Sequence, residues 1–432
     1  MITLLLFLGT IIVLVGVHEG GHFLAAKLLG VYVKEFAIGF GPRLVSIRRG
    51  ETRYSIRAIP FGGYVSMAGE DREETDPEIP AGRLLYSKPP LTRILISLAG
   101  PASNLLMTLI VVTFSLWIFG TPLVQVSGLI PGKPAAASLL PGDRIIAIAD
   151  VTIYTRTDLD HAVQGSQGEP VEVLVEREGE RHIFTITPQF DEEEERYLIG
   201  IYPSPITYTN RLSALDPSSV PFASGLRVGD TIVSVEGVAT EAGIDVLLRV
   251  NESFPTDSIE VTVLRAGVEE SHTVQTTGLD LDRIFSGVTF SDLGITYRRP
   301  GFVVGIAMGA GEFAGYVRLI VQWMRGVIAG RIAASETVAG PIGIARMLGD
   351  WAKEGASVFL QLFAYLSLSL GILNLIPFPA LDGSRAAFAL YEIIRGKPIP
   401  PQREGMIHAV GFFILIALML LIAYQDILKL FR

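Results

Sequence analysis

Long runs without charge most constrain how this chain can fold. From Ile94 to Gly132 no residue is charged, and the same holds from Gly355 to Leu381. A helix that crosses the ~30 Å apolar core of a bilayer needs about 20 such residues, so both runs predict membrane-spanning helices. The apolar N-terminal residues and a run near the C-terminus predict two more spans.

Composition supports a membrane protein that also has water-exposed domains, because 49% of residues are hydrophobic while 18% are charged. The net charge of −9, without a Lys/Arg-rich block, argues against a nucleic-acid partner. The chain has no cysteine, which excludes disulfides, cysteine-ligated zinc and thiol catalysis. Met1 to Val17 lacks a basic segment and the apolar run continues to Leu29, so a retained span is expected rather than a signal peptide.

Positive charge is concentrated in the loop after the first predicted span and in the loop before the last one. These residues are Lys34, Arg43, Arg48, Arg49, Arg53 and Arg57, and then Arg385, Arg395, Lys397 and Arg403. The positive-inside rule places both loops in the cytoplasm. With four spans, the region from about 121 to 300 then lies outside.

The first apolar run contains the sequence His18-Glu19-Gly20-Gly21-His22. Positions i and i+4 lie on one face of a helix, so His18 and His22 can bind one metal ion while Glu19 lies beside it. Catalytic zinc typically has three protein ligands, so a third is required from elsewhere. Ionisable residues at membrane depth indicate a functional site.

The clearest source of a third ligand is the stretch Asn374-Leu-Ile-Pro377-Phe-Pro379-Ala-Leu-Asp382-Gly383. Two closely spaced prolines cannot continue a helix, so the span is expected to unwind there. Unwound backbone at membrane depth is tolerated only where it lines a cavity in the protein. Asp382 would then reach that cavity. The alternative is that Asp382 only marks the membrane border.

An internal repeat occupies the region between the second and third predicted spans. Pro134–Ile148 and Pro221–Val235 share small residues, a leucine, a Gly-Asp pair and an alternating apolar strand. The repeats are separated by the length of a compact domain rather than of a solenoid unit. The pattern resembles a tandem pair of PDZ domains, which bind extended peptide ends at a sheet edge. A purely steric role is the alternative.

Three further segments carry structural expectations. Residues 30–93 predict a small sheet against the membrane, with Gly39 and Gly41 allowing close backbone approach, although a hairpin that only connects spans is equally compatible. Small residues at 99–104 favour close helix packing, with Asn104 able to hydrogen-bond across the interface. Charges recur through 299–354, which favours helices on the membrane surface.

Together these motifs resemble the site-two protease family of intramembrane zinc metalloproteases, in particular its bacterial envelope-stress branch. The resemblance covers nearly the whole chain. It implies His18, His22 and Asp382 as Zn²⁺ ligands, Glu19 as the general base, and Asn374 near the substrate. The chain departs from many relatives after Asp382-Gly383, where Ser384-Arg385 stands in place of Gly-His.

The predicted fold is therefore a polytopic α-helical membrane protein with four transmembrane helices, a membrane-associated β-sheet and two extracytoplasmic PDZ domains. Its predicted parts are span one at 1–29, a cytoplasmic β region at 30–93 with an acidic solvated loop at 70–78, span two at 94–120, PDZ domains at 121–207 and 208–298, a membrane-surface helical region at 299–354, span three at 355–383, a cytoplasmic loop at 384–403, span four at 404–425 and a tail at 426–432.

The resemblance implies cleavage of single-span membrane proteins, including an anti-sigma factor and signal-peptide remnants, in a bacterial inner membrane. A helical substrate must be unwound before attack, and the strand Phe36–Phe40 is the predicted edge that holds it extended. The predicted substrate contacts are Gly39, Phe40, Gly41, Asn374, Pro377 and Pro379. The alternatives are a membrane-bound PDZ adaptor with a vestigial metal site and a metal-ion transporter. Retention of Glu19 argues against the adaptor, and the soluble repeats argue against the transporter.

The repeat region is also expected, from the resemblance, to exclude substrates that still carry a bulky outer domain. Deleting residues 125–295 should then permit cleavage of intact substrates by the full catalytic unit. The measurement compares cleavage of one membrane substrate with and without its outer domain. Continued exclusion of the intact form by the deletion variant would refute the size filter.

Overall fold

The structure is a computed structural model that describes residues 2–70, 78–192, 194–279, 284–285, 287–331 and 339–430. Most of the predicted acidic loop at 70–78 and the end of the tail lie outside these ranges. The chain divides into two compact units. One comprises residues 1–118 and 301–432, and the other comprises residues 119–300.

The first unit is mainly helical. Its helices are α1 (Ile2–Leu28), α2 (Pro90–Phe119), α6 (Phe302–Ile328), α7 (Pro341–Glu354), α8 (Ala356–Leu375), α9 (Asp382–Arg395) and α10 (Pro401–Leu430). Among the described residues, five helices are long and apolar enough to cross a membrane: α1, α2, α6, α8 and α10. The prediction of a membrane protein is therefore supported.

The expected membrane-surface region at 299–354 contains two different helices. The long helix α6 has enough apolar residues between Glu312, Arg318 and Arg325 to qualify as a span, so length and composition allow five spans where four were predicted. The shorter α7 packs against α1, because its buried Leu348 clusters with Phe7, and its predicted place at the membrane surface stays a prediction. The number of helices that cross a membrane stays a prediction.

The break predicted in the third span is present. Helix α8 ends at Leu375, and α9 begins at Asp382 after a segment that contains both prolines. The expected loop at 384–403 is mostly helical, because α9 continues to Arg395 and ends on Gly396 in the left-handed conformation. A left-handed glycine is a common way to end a helix.

A β-sheet follows α1 in the first unit, as predicted. It consists of β1 (Val33–Arg49) and β2 (Thr52–Met67), two long and irregular strands. Residues 35–38 of β1 pair with 63–66 of β2 on one side and with 53–56 on the other. The prediction that Phe36–Phe40 forms a free edge is wrong at residues 36–38, because they have neighbours on both sides. In the described part of the chain, residues 63–67 pair on one side only.

Glu35 is buried at the centre of this sheet and bound by three donors. Arg43 and Arg57 donate to its carboxylate at 2.9 Å, and Ser55 does so at 2.6 Å. Burial alone would raise the pKa of Glu35, but these hydrogen bonds outweigh it and lower the pKa to about 2. The ionised carboxylate therefore stabilises the sheet fully above the unfolded pKa of about 4, and this contribution declines as pH falls towards 2.

The second unit contains two copies of one strand arrangement. The strands of the first copy lie in the order β11-β4-β5-β7-β8, and those of the second in the order β17-β12-β13-β15-β16. The short strands β6 and β14 pair with β5 and β13, and the helices α3 (Arg156–Gly165) and α5 (Gly243–Ser253) occupy matching places in the chain. The internal repeat is therefore structural, while its assignment to PDZ domains stays a prediction.

The strands and the remaining helix of the second unit have the following bounds: β3 (Thr121–Pro122), β4 (Gln125–Leu129), β5 (Arg144–Ile148), β6 (Val151–Thr152), β7 (Val171–Arg177), β8 (Glu180–Ile186), β9 (Gln189–Asp191), β10 (Arg196–Leu198), β11 (Ile201–Ser204), β12 (Tyr208–Leu215), α4 (Val220–Ala223), β13 (Thr231–Val235), β14 (Val238–Ala239), β15 (Ser258–Arg265), β16 (Val268–Gln275), β17 (Val288–Asp292) and β18 (Tyr297–Arg298).

The repeated Gly-Asp pair has a structural cause. Asp143 accepts two hydrogen bonds from Arg177, both at 2.7 Å, and Asp230 accepts two from Arg265 at 2.8 and 2.7 Å. Both aspartates are 1% exposed, and a buried carboxylate requires such pairing. The shared sequence pattern therefore marks one buried ion pair in each repeat.

Candidate active site

Three predicted ligand residues meet in the first unit. His18 Nε2 lies 2.9 Å from Asp382 Oδ2, His22 Nε2 lies 3.2 Å from the same oxygen, and the two Nε2 atoms are 3.3 Å apart. Both histidines are buried, on the inward face of α1 that also includes Leu14 and Ala26. These are the residues whose ligand atoms could hold one metal ion among those that the structure describes.

Helix α2 fixes the orientation of His22. His22 Nδ1 donates to the carbonyl oxygen of Ile96 at 2.8 Å, which leaves the lone pair of Nε2 free to bind a metal ion beside Asp382. A Cβ atom added at Gly100 would lie 2.2 Å from His22 Nε2, and one added at Gly21 would lie 2.3 Å from the carbonyl oxygen of Ala99. These two glycines therefore allow α1 and α2 to cross closely enough for the His22 ring to pack against α2.

The broken span delivers Asp382 to the site. Asp382 is the first residue of α9, and a Cβ atom at the following Gly383 would lie 2.4 Å from the carbonyl oxygens of Leu375 and Ile376. The turn before α9 is held by the N–H of Ala380, which donates to His408 Nδ1 of α10 at 3.1 Å. The start of α9 therefore packs directly on the end of α8.

The donor set fits a zinc ion. Two imidazole nitrogens and one carboxylate oxygen are the ligands of many catalytic zinc sites, which leave a fourth position open. Tetrahedral zinc with bonds of about 2.0–2.1 Å places its ligand atoms about 3.3 Å apart. The three observed separations are 2.9, 3.2 and 3.3 Å, so the side chains are already spaced for such an ion.

A cavity of about 200 Å³ adjoins these three residues and includes Glu19. A Cβ atom at Gly63 would lie 3.4 Å from Glu19 Cγ, so the side chain of Glu19 lies against β2. Three residues of the segment 63–67 line the same cavity. Its lining includes Tyr64, Val65 and Met67 of β2, together with Tyr86, Arg93, Ser97, Arg385 and Glu404.

Ion pairs join the elements around the cavity. Arg93 of α2 donates to Glu392 of α9 at 2.6 Å, and Arg385 of α9 donates to Glu70 at 2.5 Å. Arg385 stands where many site-two proteases have histidine, so this difference replaces a short ring with a long charged side chain that reaches Glu70. The hydroxyl of the preceding residue, Ser384, donates to the backbone carbonyl of Leu381 at 2.7 Å.

Three of the residues predicted to contact substrate lie outside the cavity. Asn374 donates to the carbonyl of Leu370 in its own helix at 3.0 Å. Pro377 and Pro379 lie in the break between α8 and α9, and a Cβ at Gly411 would lie 2.4 Å from Pro379. In the described chain, none of these three residues belongs to the lining of the cavity.

The Gly39-Phe40-Gly41 motif lies next to the cavity rather than in it. Both glycines have positive φ, at 87° and 81°, and the ring of Phe40 stacks with that of Tyr64 at a centroid distance of 6.2 Å. Tyr64 lines the cavity. The motif therefore shapes the sheet and supports one wall of the cavity.

Sequence reasoning did not identify Ile96, Gly100 or residues 63–67 as parts of the site. The sequence pattern indicates only general helix packing for the small residues of α2, and for Gly62 and Gly63 it indicates close backbone approach or positive φ without linking either glycine to the site. The sequence signal for the contact between α1 and α2 was the presence of small residues in both of these predicted spans. The Asn104 side chain has no hydrogen-bond partner among the described residues, and only its backbone carbonyl accepts from Ser367, at 3.0 Å, so the hydrogen bond predicted for this side chain across the interface stays a prediction.

The sequence model of peptidase family M50 matches residues 6–418 of the chain. The chain belongs to peptidase family M50. It is similar to zinc metalloprotease RasP of Geobacillus kaustophilus, with 29% identity over 97% of this chain and 96% of the relative. Zinc metalloproteases RasP of Oceanobacillus iheyensis and Shouchella clausii are 27% and 29% identical, over 100% and 99% of both chains.

Membership of family M50 confirms the predicted site-two protease resemblance and the prediction of a zinc metalloprotease. The match extends from the first helix to the last and therefore includes all three residues of the candidate zinc site. The roles of individual residues in this M50 protease remain proposals that rest on the geometry above.

The two close-packed glycines generate a prediction. Gly21→Ala and Gly100→Ala should each reduce zinc content strongly, because the added methyl group must displace α2 backbone or the His22 ring. Gly20→Ala is the matched control within the same motif, since nothing lies within 4 Å of its added Cβ. Zinc is measured by elemental analysis of purified protein. Equal zinc loss in all three variants, or in none, would contradict this account.

Proposed function

We propose that this M50 protease hydrolyses peptide bonds within the membrane-spanning segments of single-span membrane proteins. The observation that supports this proposal is the cavity at which His18, His22 and Asp382 converge inside a bundle of membrane-length helices, with Glu19 on its wall. A metal site at that depth suits a substrate that is itself within the bilayer.

The proposed mechanism divides the chemistry among few groups. His18, His22 and Asp382 would hold the zinc. When bound, the ion would act as a Lewis acid and lower the pKa of water to near neutral pH. Glu19 accepts the proton of the attacking water and later gives it to the leaving amine. The hydrogen bond from His22 to Ile96 keeps one ligand in its unprotonated form towards the metal.

Residues 63–67 of β2 are the proposed docking edge for an unwound substrate. Among the described residues they pair with β1 on one side only, Tyr64, Val65 and Met67 line the cavity, and Gly63 lies against Glu19. A substrate segment added to this edge would have its backbone groups satisfied by the strand, which offsets the loss of its helical hydrogen bonds.

The same proposal includes the substrates, the membrane and the role of the two repeats. The substrates are single-span proteins such as an anti-sigma factor or signal-peptide remnants, and the site faces the cytoplasm in a bacterial inner membrane. The two repeats are PDZ domains on the outer side that bind peptide or exclude bulky substrates. A membrane adaptor with a vestigial metal site is the competing function.

One comparison separates the protease from the adaptor. Glu19→Gln should retain zinc, because Glu19 is not among the three clustered ligands, and should lower cleavage of a single-span model substrate by at least about 100-fold. The assay pairs zinc content with cleavage in detergent or liposomes. Equal cleavage by both proteins would defeat the mechanism, and a wild-type protein without cleavage would favour the adaptor.

The docking edge is tested by disulfide cross-linking. Because the chain has no cysteine of its own, only the introduced cysteines can react. Ser66→Cys on the proposed edge, combined with Glu19→Gln, should cross-link to single cysteines introduced around the scissile bond of the substrate. Ser46→Cys is the matched control, because Ser46 is exposed and lies in the part of β1 that forms the opposite edge of the sheet. Equal cross-linking at both serines, or a preference for Ser46, would reject this edge.

A further inference from the structure

One stripe of α2 packs against the part of α1 that contains the two histidines. Ile96 accepts the hydrogen bond from His22, and Gly100 packs against the His22 ring one turn later. Ser103 Oγ donates to the carbonyl of Val17 at 2.8 Å. Higher numbers on α2 therefore meet lower numbers on α1, so the two helices run in opposite directions.

This register assigns the next residue of the stripe to the other histidine. Ile96, Gly100 and Asn104 follow one another at intervals of four, which places them on one face of α2. His22 and His18 are separated by the same interval on α1. Because the helices are antiparallel, the turn that follows Gly100 on α2 lies beside the turn that contains His18.

Buried polar atoms without partners lie on both of these facing turns. His18 Nδ1, Asn104 Oδ1 and Asn104 Nδ2 are all buried, and none of them has a hydrogen-bond partner among the described residues. Asn104 is fully buried, at 0% exposure. Buried polar groups are nearly always paired, and an unpaired carboxamide is destabilising at membrane depth.

The nearby hydroxyl groups do not use the Asn104 side chain. Thr108 donates to the backbone carbonyl of Asn104 at 2.9 Å, and Ser367 donates to the same carbonyl at 3.0 Å. Gly371 of α8 packs beside it, because an added Cβ there would lie 3.4 Å from Asn104 Cβ. The carboxamide is therefore buried between α2 and α8, and neither of these hydroxyl groups occupies it.

We propose that Asn104 is a positioning residue for His18. In the zinc-loaded enzyme, Asn104 Oδ1 accepts a hydrogen bond from His18 Nδ1–H, as the Ile96 carbonyl does from His22. This bond fixes the tautomer in which His18 Nε2 has its lone pair towards the metal, and it holds the ring in place. The inference rests on the proposed function in one respect, namely that His18 binds zinc.

The test measures zinc affinity of the full chain by competition with a chelator. Asn104→Leu has a similar size but no acceptor, and it should weaken zinc binding by about 10- to 100-fold, the usual effect of losing such a partner. Asn104→Asp retains an acceptor at the same position and should restore most of the affinity. Nitrogen-15 NMR of histidine-labelled, zinc-loaded protein should show the His18 Nδ1–H signal change in Asn104→Leu while that of His22 does not.

Thr108→Val is the matched control, because it removes a buried hydroxyl one turn further along the same helix interface. It should leave zinc affinity unchanged. Wild-type zinc affinity in Asn104→Leu, or equal losses in Asn104→Leu and Thr108→Val, would overturn the positioning role. Full zinc binding by His18→Ala would instead overturn the proposed zinc site itself, so the two failures are distinguishable.

Discussion

The close crossing of α1 and α2 is the constraint on which the candidate site depends. At Gly21 and Gly100 the helices approach until any added side-chain carbon would overlap backbone or the His22 ring. That approach brings the Ile96 carbonyl to His22 and directs one nitrogen of the ring at Asp382. Polar groups at membrane depth need partners within the protein, and this crossing provides them for His22.

The second half of the site depends on a helix that stops. If α8 continued through Pro377 and Pro379, Asp382 would lie further along a regular span. Instead the chain turns, Gly383 packs on the end of α8, and Asp382 begins α9 beside the histidines. Ion pairs from Arg93 and Arg385 then connect α2 and Glu70 to α9, so several separate elements enclose one cavity.

The β-sheet shows how an irregular ladder can alter an interpretation based on strand pattern. Residues 35–38 have partners on both sides because β2 returns twice along β1, first with 53–56 and then with 63–66. Glu35, held by Arg43, Ser55 and Arg57, anchors the middle of this arrangement. The strand with the conspicuous Gly-Phe-Gly motif therefore supports the wall, and the strand after it borders the cavity.

Sequence alone determined the class of protein and predicted which three residues meet at the candidate site. Uncharged runs of membrane length can only be buried or placed in lipid, the spacing of His18 and His22 puts them on one helix face, and the prolines before Asp382 must end a helix. The duplicated Gly-Asp pattern likewise predicted a structural repeat, whose buried Asp-Arg pairs explain it. These features are local, so a short window of sequence is enough to identify them.

Only the tertiary structure decided which elements meet. Contacts between distant segments include the packing of His22 against Ile96 and Gly100, the ion pair of Arg385 with Glu70, and the pairing of residues 63–66 with 35–38 of β1. The burial of Asn104 also depends on another helix, α8. Length and composition also left α6 open to more than one position, because a moderately apolar helix satisfies the criteria for a span and for a surface helix. Register and crossing distance depend on side-chain packing between distant segments, and no local sequence pattern specifies them.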